Sequence, residues 1–259
     1  MGKRDDGFHN IETIFYPLPL YDVLELIDAN ETTLTLNGLE IPGKIEDNIV
    51  LKAYNLIKKD FAELSPVHFY LLKNIPAGAG LGAGSANGAL ALIGLNKKFK
   101  LNLSTNQLIN YALQLGSDCP FFIMNEPCFA AGRGEIMQPV PIDLSGYKIV
   151  IVNPGIHIPT PWAFKQIQPE KPKKSLHETV MKPVEEWKDV IRNDFETPVF
   201  KAYPDIEEIK KHLIDAGAVF SLMSGSGSSV YGLFKKDVKL DLNLIDNYFV
   251  KVLNATSEN

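Results

Sequence analysis

The sequence contains little cysteine, no long hydrophobic run and no excess of basic charge. Its two cysteines, Cys119 and Cys128, are too few for a disulfide framework or a cysteine-rich metal site, and this low usage favours a reducing compartment. No apolar run approaches the about 18 residues of a membrane span, and the first residues do not have the pattern of a signal peptide. We therefore expect a cytoplasmic protein with no membrane partner.

The balance of charged and metal-binding residues excludes two further classes. Lysine and arginine number 26 against 31 aspartates and glutamates, a formal net charge of −5, and no basic stripe is visible. A nucleic-acid-binding surface needs such a stripe, so we expect no nucleic-acid partner. The five histidines are scattered and no H-E-x-x-H motif occurs, so we predict no metal centre built from side chains.

The rest of the composition is that of a globular protein, 45% hydrophobic and 22% charged over 259 residues. Predicted strands and helices occur without strict alternation, which indicates an α+β architecture. The predicted strands are residues 11–16, 23–27, 32–36, 39–41, 67–72, 147–152, 218–223 and 230–234, with Asn37-Gly38 as a hairpin turn. The predicted helices are residues 48–64, one capped by Ser85, one that starts after Ser104 or Thr105 and stops at Gly116, and 205–216. We expect two domains, residues 1–146 and 147–259.

The most informative segment is residues 73–87, in which four glycines alternate with small or apolar residues. These are Gly78, Gly80, Gly82 and Gly84, separated by Ala79, Leu81 and Ala83. Glycine reaches positive φ and lets the backbone come close to a ligand, at an entropic cost that a plain turn does not need four times. The helix predicted from Ser85 onwards would direct N–H groups and a partial positive charge at one place, which suits phosphate. The segment predicts a nucleoside triphosphate site.

Two better-known phosphate motifs fit this segment poorly. A Walker A loop needs Gly-Lys-Ser/Thr at the helix start, whereas Gly84 is followed by Ser85 and Ala86. A dinucleotide-binding fingerprint fits residues 78–83 loosely, but it needs an acidic residue about 20 positions further on, where this chain is rich in lysine. A glycine-rich turn without a ligand is the remaining alternative.

Four other segments carry residue types that could take part in chemistry. Asp118 lies between a helix end and an apolar run predicted as a strand. It is either a turn residue ahead of Pro120 or, if desolvated, a general base. Residues 224–229, rich in glycine and serine, form either a flexible connection or the lining of a phosphate or substrate cleft. Segments 2–9 and 158–165 carry aromatics that either pack in the core or form a platform for a flat ring.

Together these segments resemble the GHMP kinases, the family of galactokinase, homoserine kinase and mevalonate kinase. Residues 76–85, Pro-Ala-Gly-Ala-Gly-Leu-Gly-Ala-Gly-Ser, look like the ATP loop of this family. Four more segments match in order: 2–9 (G-x-R-x-D-G-[FY]-H), 115–120 (L-G-x-D-x-P), 153–165 and 223–230. They are most similar to one branch, whose members phosphorylate the C2 hydroxyl of a CDP-linked methylerythritol.

The resemblance implies a fold, cofactors and partners. The expected α+β fold has a ribosomal-protein-S5-like N-terminal domain and a ferredoxin-like C-terminal domain, with the site between them. ATP and Mg²⁺ are the expected cofactors, and CDP-linked methylerythritol is the expected small-molecule substrate. The expected state in solution is a monomer or a weak homodimer.

The resemblance also implies roles for individual residues. Asp118 matches the catalytic aspartate of the family. The expected ATP-loop residues are Pro76, Ala77, Gly78, Ala79, Gly80, Leu81, Gly82, Ala83, Gly84, Ser85 and Ala86. Phe8 matches a ring that stacks on cytosine, His9 a residue that hydrogen-bonds the base, and Phe164 the opposite stacking ring. The other expected substrate residues are Thr160, Pro161 and Lys165 in the cytidine pocket, and Gly225, Ser226 and Gly227 at the substrate or phosphate.

One family feature has no counterpart in the printed sequence. In the family, a strand with the pattern Ala-Lys-[IVL]-Asn-Leu precedes the segment that matches residues 2–9, and its lysine assists the aspartate. Here Met1 directly precedes Gly2, and residues 100–103 imitate the pattern only at a different place in the chain. We therefore assign the role of that lysine to no residue. The alternatives left open are another GHMP small-molecule kinase and a relative that binds nucleotide without turnover.

Overall fold

The computed structural model describes residues 9–167, 175–240 and 248–255. Its strands are β1 (Ile11–Phe15), β2 (Val23–Asp28), β3 (Thr33–Gly38), β4 (Val67–Lys73), β5 (Cys128–Gly132), β6 (Ile136–Pro139), β7 (Tyr147–Asn153), β8 (Phe220–Met223), β9 (Val230–Lys235) and β10 (Phe249–Asn254). Its α-helices are α1 (Ile49–Asp60), α2 (Ala83–Phe99), α3 (Thr105–Leu115), α4 (Cys119–Met124), α5 (Thr160–Gln166), α6 (Leu176–Val180), α7 (Glu196–Ala202) and α8 (Pro204–Asp215). Short 3₁₀ helices cover Ile45–Asp47 and Val184–Asp189. None of the helices in these ranges is long and apolar enough to cross a bilayer.

A three-stranded sheet covered by helices forms the first core. Its central strand β4 pairs antiparallel with β2 and parallel with β3. Val67, Phe69 and Leu71 of β4 are fully buried, because alternate side chains of a strand point to the same face. They pack against the apolar face of α1, which carries Val50 and Ile57, and against α2 and α3.

The ends of two of these helices follow from local sequence. The side chain of Asn48 accepts a hydrogen bond from the Val50 N–H at the start of α1, at 3.0 Å. Ser104 and Gln107 form a reciprocal capping box at the start of α3, and Gly116 ends that helix. The predicted cap at Ser104 and the predicted stop at Gly116 are thus confirmed.

A second sheet, in the order β1-β5-β6, is entirely antiparallel. Ile11 of β1 lies opposite Gly132 of β5, and Phe15 lies opposite Cys128. The sheet lies against the C-terminal part of the chain, because Ile14 of β1 packs into the same apolar cluster as strands β7 and β9. This arrangement places the turn between β5 and β6 beside the cleft described below.

The third sheet has the order β10-β7-β9-β8, with antiparallel neighbours throughout. Numbered along this part of the chain, the order is 4-1-3-2, as expected for a ferredoxin-like sheet. Val150 and Val152 of β7 pack against α8 on one face, while Ile149 and Ile151 pack against Trp187 on the other. Separate sheets and helices of this kind make the fold α+β, as predicted.

The predicted hairpin at Asn37-Gly38 is wrong. Strand β3 runs through these two residues and pairs with β4 in parallel, and α1 supplies the crossover that a parallel neighbour needs. Gly38 has a φ of 82°, and an added Cβ would lie 2.2 Å from the carbonyl oxygen of Lys73. The glycine therefore serves close strand approach and not a two-residue turn. Residues 39–41 form no strand, and the Leu39 N–H donates to the same Lys73 carbonyl at 2.8 Å.

Two further local predictions near the site are also wrong. Helix α2 begins at Ala83 with Gly82 as its N-cap in the left-handed conformation, so Ser85 lies within the helix and does not cap it. The apolar residues after Asp118 form helix α4 and not a strand, with Pro120 in its first turn. A short apolar run does not distinguish strand from helix, but proline near the start of the run was a signal that favours a helix.

Candidate active site

The first glycine loop, residues 76–82, leads from β4 into the N-terminus of α2. Gly78, Gly80 and Gly82 have φ values of 68°, 76° and 69°, a region that disfavours residues with a side chain. The first turn of α2 presents unpaired N–H groups and the positive end of the helix dipole. At Gly84 an added Cβ would meet no atom within 4 Å, so the backbone there is open to a ligand. This cradle fits a phosphate group such as those of ATP.

A buried ion pair holds the start of this loop. The side chains of Lys73, at the end of β4, and Asp22 are paired and are 2% and 3% exposed. The Asp22 carboxylate also accepts hydrogen bonds from the N–H groups of Asn74 at 2.8 Å and Ile75 at 3.1 Å. One cation and two N–H groups compensate the desolvated carboxylate, which fixes the backbone just before the loop.

The second glycine loop, residues 224–229, joins β8 to β9 and packs directly on the first. The Ser224 hydroxyl donates to the carbonyl oxygen of Gly80 at 2.7 Å, and the Ser229 N–H donates to that of Ala79 at 3.1 Å. An added Cβ at Gly80 would lie 2.2 Å from the Ser224 carbonyl oxygen. Gly80 is therefore required for contact between the two loops.

Asp118 lies just before α4 and lines the same cleft. Its side chain makes no capping hydrogen bond and keeps exposed surface towards the cleft. The surrounding protein nevertheless raises its pKa, because burial desolvates the charged form. An added Cβ at Gly134, in the turn between β5 and β6, would lie 3.8 Å from Asp118 Oδ1, so this turn lies beside the carboxylate. A carboxylate with an accessible face and a raised pKa can act as a general base.

Two contacts attach the neighbours of Asp118 to other elements of the site. The Arg133 guanidinium donates to the Ser117 hydroxyl at 3.3 Å, which joins the β5–β6 turn to the start of α4. Burial raises the pKa of the Cys119 thiol to about 11, and a hydrogen bond with the Ser85 side chain lowers it in part. The second contact connects α4 with the first turn of α2. Asp118 is thus held between two elements that both line the cleft.

An aromatic group forms another wall. His9 stacks on Phe164 of α5, with ring centroids 5.0 Å apart and an interplanar angle of 18°. Phe195 meets the Phe164 ring edge-on, at 4.9 Å and 86°. The Thr160 and Ser226 hydroxyls are hydrogen-bonded at 3.1 Å, which brings α5 against the second glycine loop. Phe8, the other expected stacking ring, lies outside the described residues.

The cleft has a volume of about 1100 Å³ and collects most of the residues expected from the sequence. Those that line it are His9, Gly78, Ala79, Gly80, Leu81, Gly82, Ala83, Gly84, Ser85, Asp118, Thr160, Pro161, Phe164, Lys165, Gly225, Ser226 and Gly227. Pro76 and Ala77 line a smaller cavity of about 250 Å³ next to it, and Ala86 lines neither. Arg133, Arg192, Asn193 and Phe195 also line the cleft.

Sequence reasoning missed these last four residues for different reasons. Arg133 stands between two glycines of a tight turn, a pattern that could have drawn attention to it. Arg192, Asn193 and Phe195 lie in an ordinary polar segment, where only their place in the folded chain distinguishes them. Within the described residues, no group of three or more His, Cys, Asp or Glu side chains could hold a metal ion.

Comparison with known proteins assigns this fold and site to a class. The sequence model for the GHMP kinases N terminal domain matches residues 48–126, and that for the GHMP kinases C terminal domain matches residues 174–242. The chain belongs to the GHMP kinase family and is an ATP-dependent small-molecule kinase with a two-domain α+β fold.

Individual relatives give a narrower similarity. A protein of Bacteroides fragilis (strain YCH46) named 4-diphosphocytidyl-2-C-methyl-D-erythritol kinase is 52% identical over 242 residues, 92% of this chain and 88% of that protein. A Bacteroides thetaiotaomicron protein of the same name is 50% identical over 239 residues, 91% of this chain and 87% of its own. A crystal structure of 4-(cytidine 5'-diphospho)-2C-methyl-D-erythritol kinase has a TM-score of 0.75 at 29% identity, covering 89% of this chain and 83% of that one.

Proposed function

We propose that the protein transfers the γ-phosphoryl group of ATP to the C2 hydroxyl of 4-diphosphocytidyl-2-C-methyl-D-erythritol, a step of non-mevalonate isoprenoid biosynthesis. The observation that carries the proposal is the 52% identity, over 92% of this chain, to a protein that bears this kinase name. The ring arrangement at Phe164 supports it, because a nucleobase needs an aromatic surface on which to stack.

In this proposal Asp118 takes the proton of the substrate hydroxyl. The hydroxyl oxygen forms a bond to the γ-phosphorus, the bond between that phosphorus and the bridging oxygen breaks, and ADP leaves with that oxygen. The raised pKa of Asp118 suits an acceptor that must bind a proton during the reaction. Phosphoryl transfer depends mostly on positioning and charge stabilisation, so the N–H groups at the start of α2 would hold the phosphates of ATP.

Other assignments complete the proposal. Phe8, His9 and Phe164 bind the cytosine, with Thr160, Pro161 and Lys165 around the cytidine, and residues 225–227 contact substrate or phosphate. Residues 76–86 form the ATP site. Magnesium would bind through the ATP phosphates, which needs no cage of three protein ligands. We further propose domains at residues 1–146 and 147–259, a cytoplasmic location and a monomer or weak homodimer.

A direct test measures phosphoryl transfer from Mg-ATP to a panel of alcohols, with ³¹P NMR to identify the product. The panel contains 4-diphosphocytidyl-2-C-methyl-D-erythritol, its uridine analogue, mevalonate and homoserine. We expect a new phosphomonoester at C2 of the cytidine compound and little turnover of the others. A preference for mevalonate or homoserine would identify a different kinase of the same family.

The assay should be run on two chains in parallel, the printed one and one extended at its N-terminus by an Ala-Lys-Ile-Asn-Leu strand. ATP binding is measured separately, by the thermal shift that Mg-ATP produces. A ligand at about 100-fold excess over its Kd raises the free energy of unfolding by about 2.7 kcal/mol. If both chains bind nucleotide and neither turns over a substrate, the result would favour a relative that has lost catalysis.

A further inference from the structure

Residues 193–196, just before and at the start of α7, hold the second glycine loop from behind. The Asn193 side-chain amide donates to the carbonyl oxygens of Met223 at 2.8 Å and Gly225 at 2.7 Å. The Glu196 carboxylate accepts from the Met223 N–H at 2.9 Å and pairs with Lys210 of α8 at 2.6 Å. The strand end that feeds the loop is therefore fixed at both its N–H and its carbonyl group.

The same segment also supports the aromatic wall. The Phe195 ring packs edge-on against Phe164, at 4.9 Å, and Phe164 in turn stacks on His9. The Phe195 N–H donates to Asn193 Oδ1 at 2.9 Å. Asn193 thus binds both the backbone of Phe195, whose ring supports Phe164, and the backbone of the second glycine loop.

The contacts continue into the first glycine loop. Ser224, which lies between the two residues whose carbonyls Asn193 binds, donates its hydroxyl to the Gly80 carbonyl at 2.7 Å. A short path of hydrogen bonds and ring contacts therefore leads from Phe164 through Asn193 to the loop before α2. We infer that Asn193 and Phe195 are positioning residues that fix the nucleobase wall relative to the phosphate-binding loops.

This inference rests on the proposed function, because it concerns the alignment of two substrates in one cleft. Transfer between bound reactants needs near-attack geometry, and a displacement of about 1 Å can cost about 100-fold in rate. The side chain of Asn193 suits the role because an amide offers two donors and an acceptor. Aspartate has nearly the same shape but cannot donate to the two carbonyl groups.

The decisive variant is therefore Asn193→Asp, with Asn193→Ala as a second variant that loses the same bonds without adding charge. Asn96→Asp is the matched control. Asn96 donates to the Leu103 carbonyl at 3.1 Å and accepts from the Leu103 N–H at 3.0 Å, away from the cleft. We expect kcat to fall by about 10- to 100-fold in both Asn193 variants, and to stay within about twofold in the control. Unfolding midpoints report the share of each variant that is folded.

A purely structural role would lower the unfolding midpoint and leave kcat per folded molecule unchanged. If the wild-type chain is active and folded Asn193→Asp and Asn193→Ala keep its kcat, the inference is wrong and the proposed function stands. If neither the printed chain nor the chain extended by the Ala-Lys-Ile-Asn-Leu strand transfers a phosphoryl group, the proposed function is wrong. Calorimetry with CDP and a non-hydrolysable ATP analogue then decides: tenfold weaker binding in Asn193→Asp supports the positioning role, and equal binding overturns it.

Discussion

The Ser224 hydroxyl donates a hydrogen bond to the Gly80 carbonyl oxygen at 2.7 Å, across 144 residues of sequence. It joins two glycine-rich loops that come from different sheets of the molecule. Gly80 has no room for a side chain because the second loop lies against its Cα. The shape of the first glycine loop therefore depends on the C-terminal part of the chain.

We predict opposite effects for alanine at two glycines of the loop segment. Gly80→Ala places a Cβ 2.2 Å from the Ser224 carbonyl oxygen at a φ of 76°, so it should lower the unfolding temperature and the ATP affinity together. The Cβ of Gly84→Ala meets no atom within 4 Å and lies within a helix. This variant should therefore be as stable as the wild type or more stable, by up to about 1 kcal/mol. Its methyl group should weaken only the Mg-ATP thermal shift. Equal stability of the two variants in calorimetry would contradict the packing argument.

We predict that Asp118→Asn lowers kcat by roughly 10²–10⁴, the usual contribution of a general base. The raised pKa of Asp118 should also move the acid limb of the kcat profile above the pH at which an ordinary aspartate titrates. The measurement is steady-state turnover against pH under saturating substrates. A variant with a preserved rate would remove Asp118 from the chemistry.

The ionised side chain of Asp118 should also lower the free energy of unfolding at neutral pH. Its pKa is raised by desolvation, so the native state binds the proton more tightly than the unfolded chain and loses stability as pH rises through that window. Asp118→Asn should therefore be more stable than wild type at pH 7, and the difference should vanish below the ordinary aspartate pKa of about 3.9. Asp143 is the control, because hydrogen bonds from Ser145 lower its pKa and reverse the sign. Denaturant unfolding of Asp118→Asn and Asp143→Asn across pH measures the two stability differences. A difference of the same sign in both variants would contradict the linkage.

Removing one partner of the ion pair at the start of the first glycine loop should strongly destabilise the protein. Asp22→Asn leaves Lys73 charged and only 2% exposed, which should cost about 3–5 kcal/mol. Glu207→Gln breaks the exposed pair with Lys211 on α8, at 3.2 Å, and should change stability by less than about 1 kcal/mol. Urea unfolding compares the two directly. A cost below about 1 kcal/mol in Asp22→Asn would contradict this prediction.

Cytidine preference should depend on the ring of Phe164. Base–aromatic stacking contributes roughly 1–3 kcal/mol per ring, so Phe164→Ala should weaken CDP binding by about that amount. His9→Ala should have a smaller effect and should reduce discrimination between CDP and UDP. Phe200→Ala, which removes a partly buried ring of α7 that does not line the cleft, is the control for lost packing. Calorimetry that shows no difference between Phe164→Ala and Phe200→Ala would place the base elsewhere.

Short-range sequence signals predicted some local features of this protein correctly and others wrongly. The cap at Ser104 needs only a side chain and a backbone N–H three residues away. The buried strands β4 and β7 are apolar at the positions that the core requires. The loop at residues 76–82 is visible in the sequence because alternating glycines carry an entropic cost that an ordinary turn avoids. The ordered motifs also identified the GHMP kinase family, which the comparisons confirm.

Tertiary structure decided everything that depends on contacts between distant residues. Asn37-Gly38 has the composition of a hairpin, yet β3 pairs in parallel with β4 because α1 returns the chain to the same side of the sheet. The apolar run after Asp118 became a helix because proline and the packing against α2 and α3 outweighed its strand-like composition. Asn193 carries no signal of this role in the sequence, since the two carbonyl groups that its amide binds come near it only in the folded chain. The sequence by itself determined where the glycine-rich loops lie, because glycine acts through its own backbone, and folding determined which distant groups hold those loops in place.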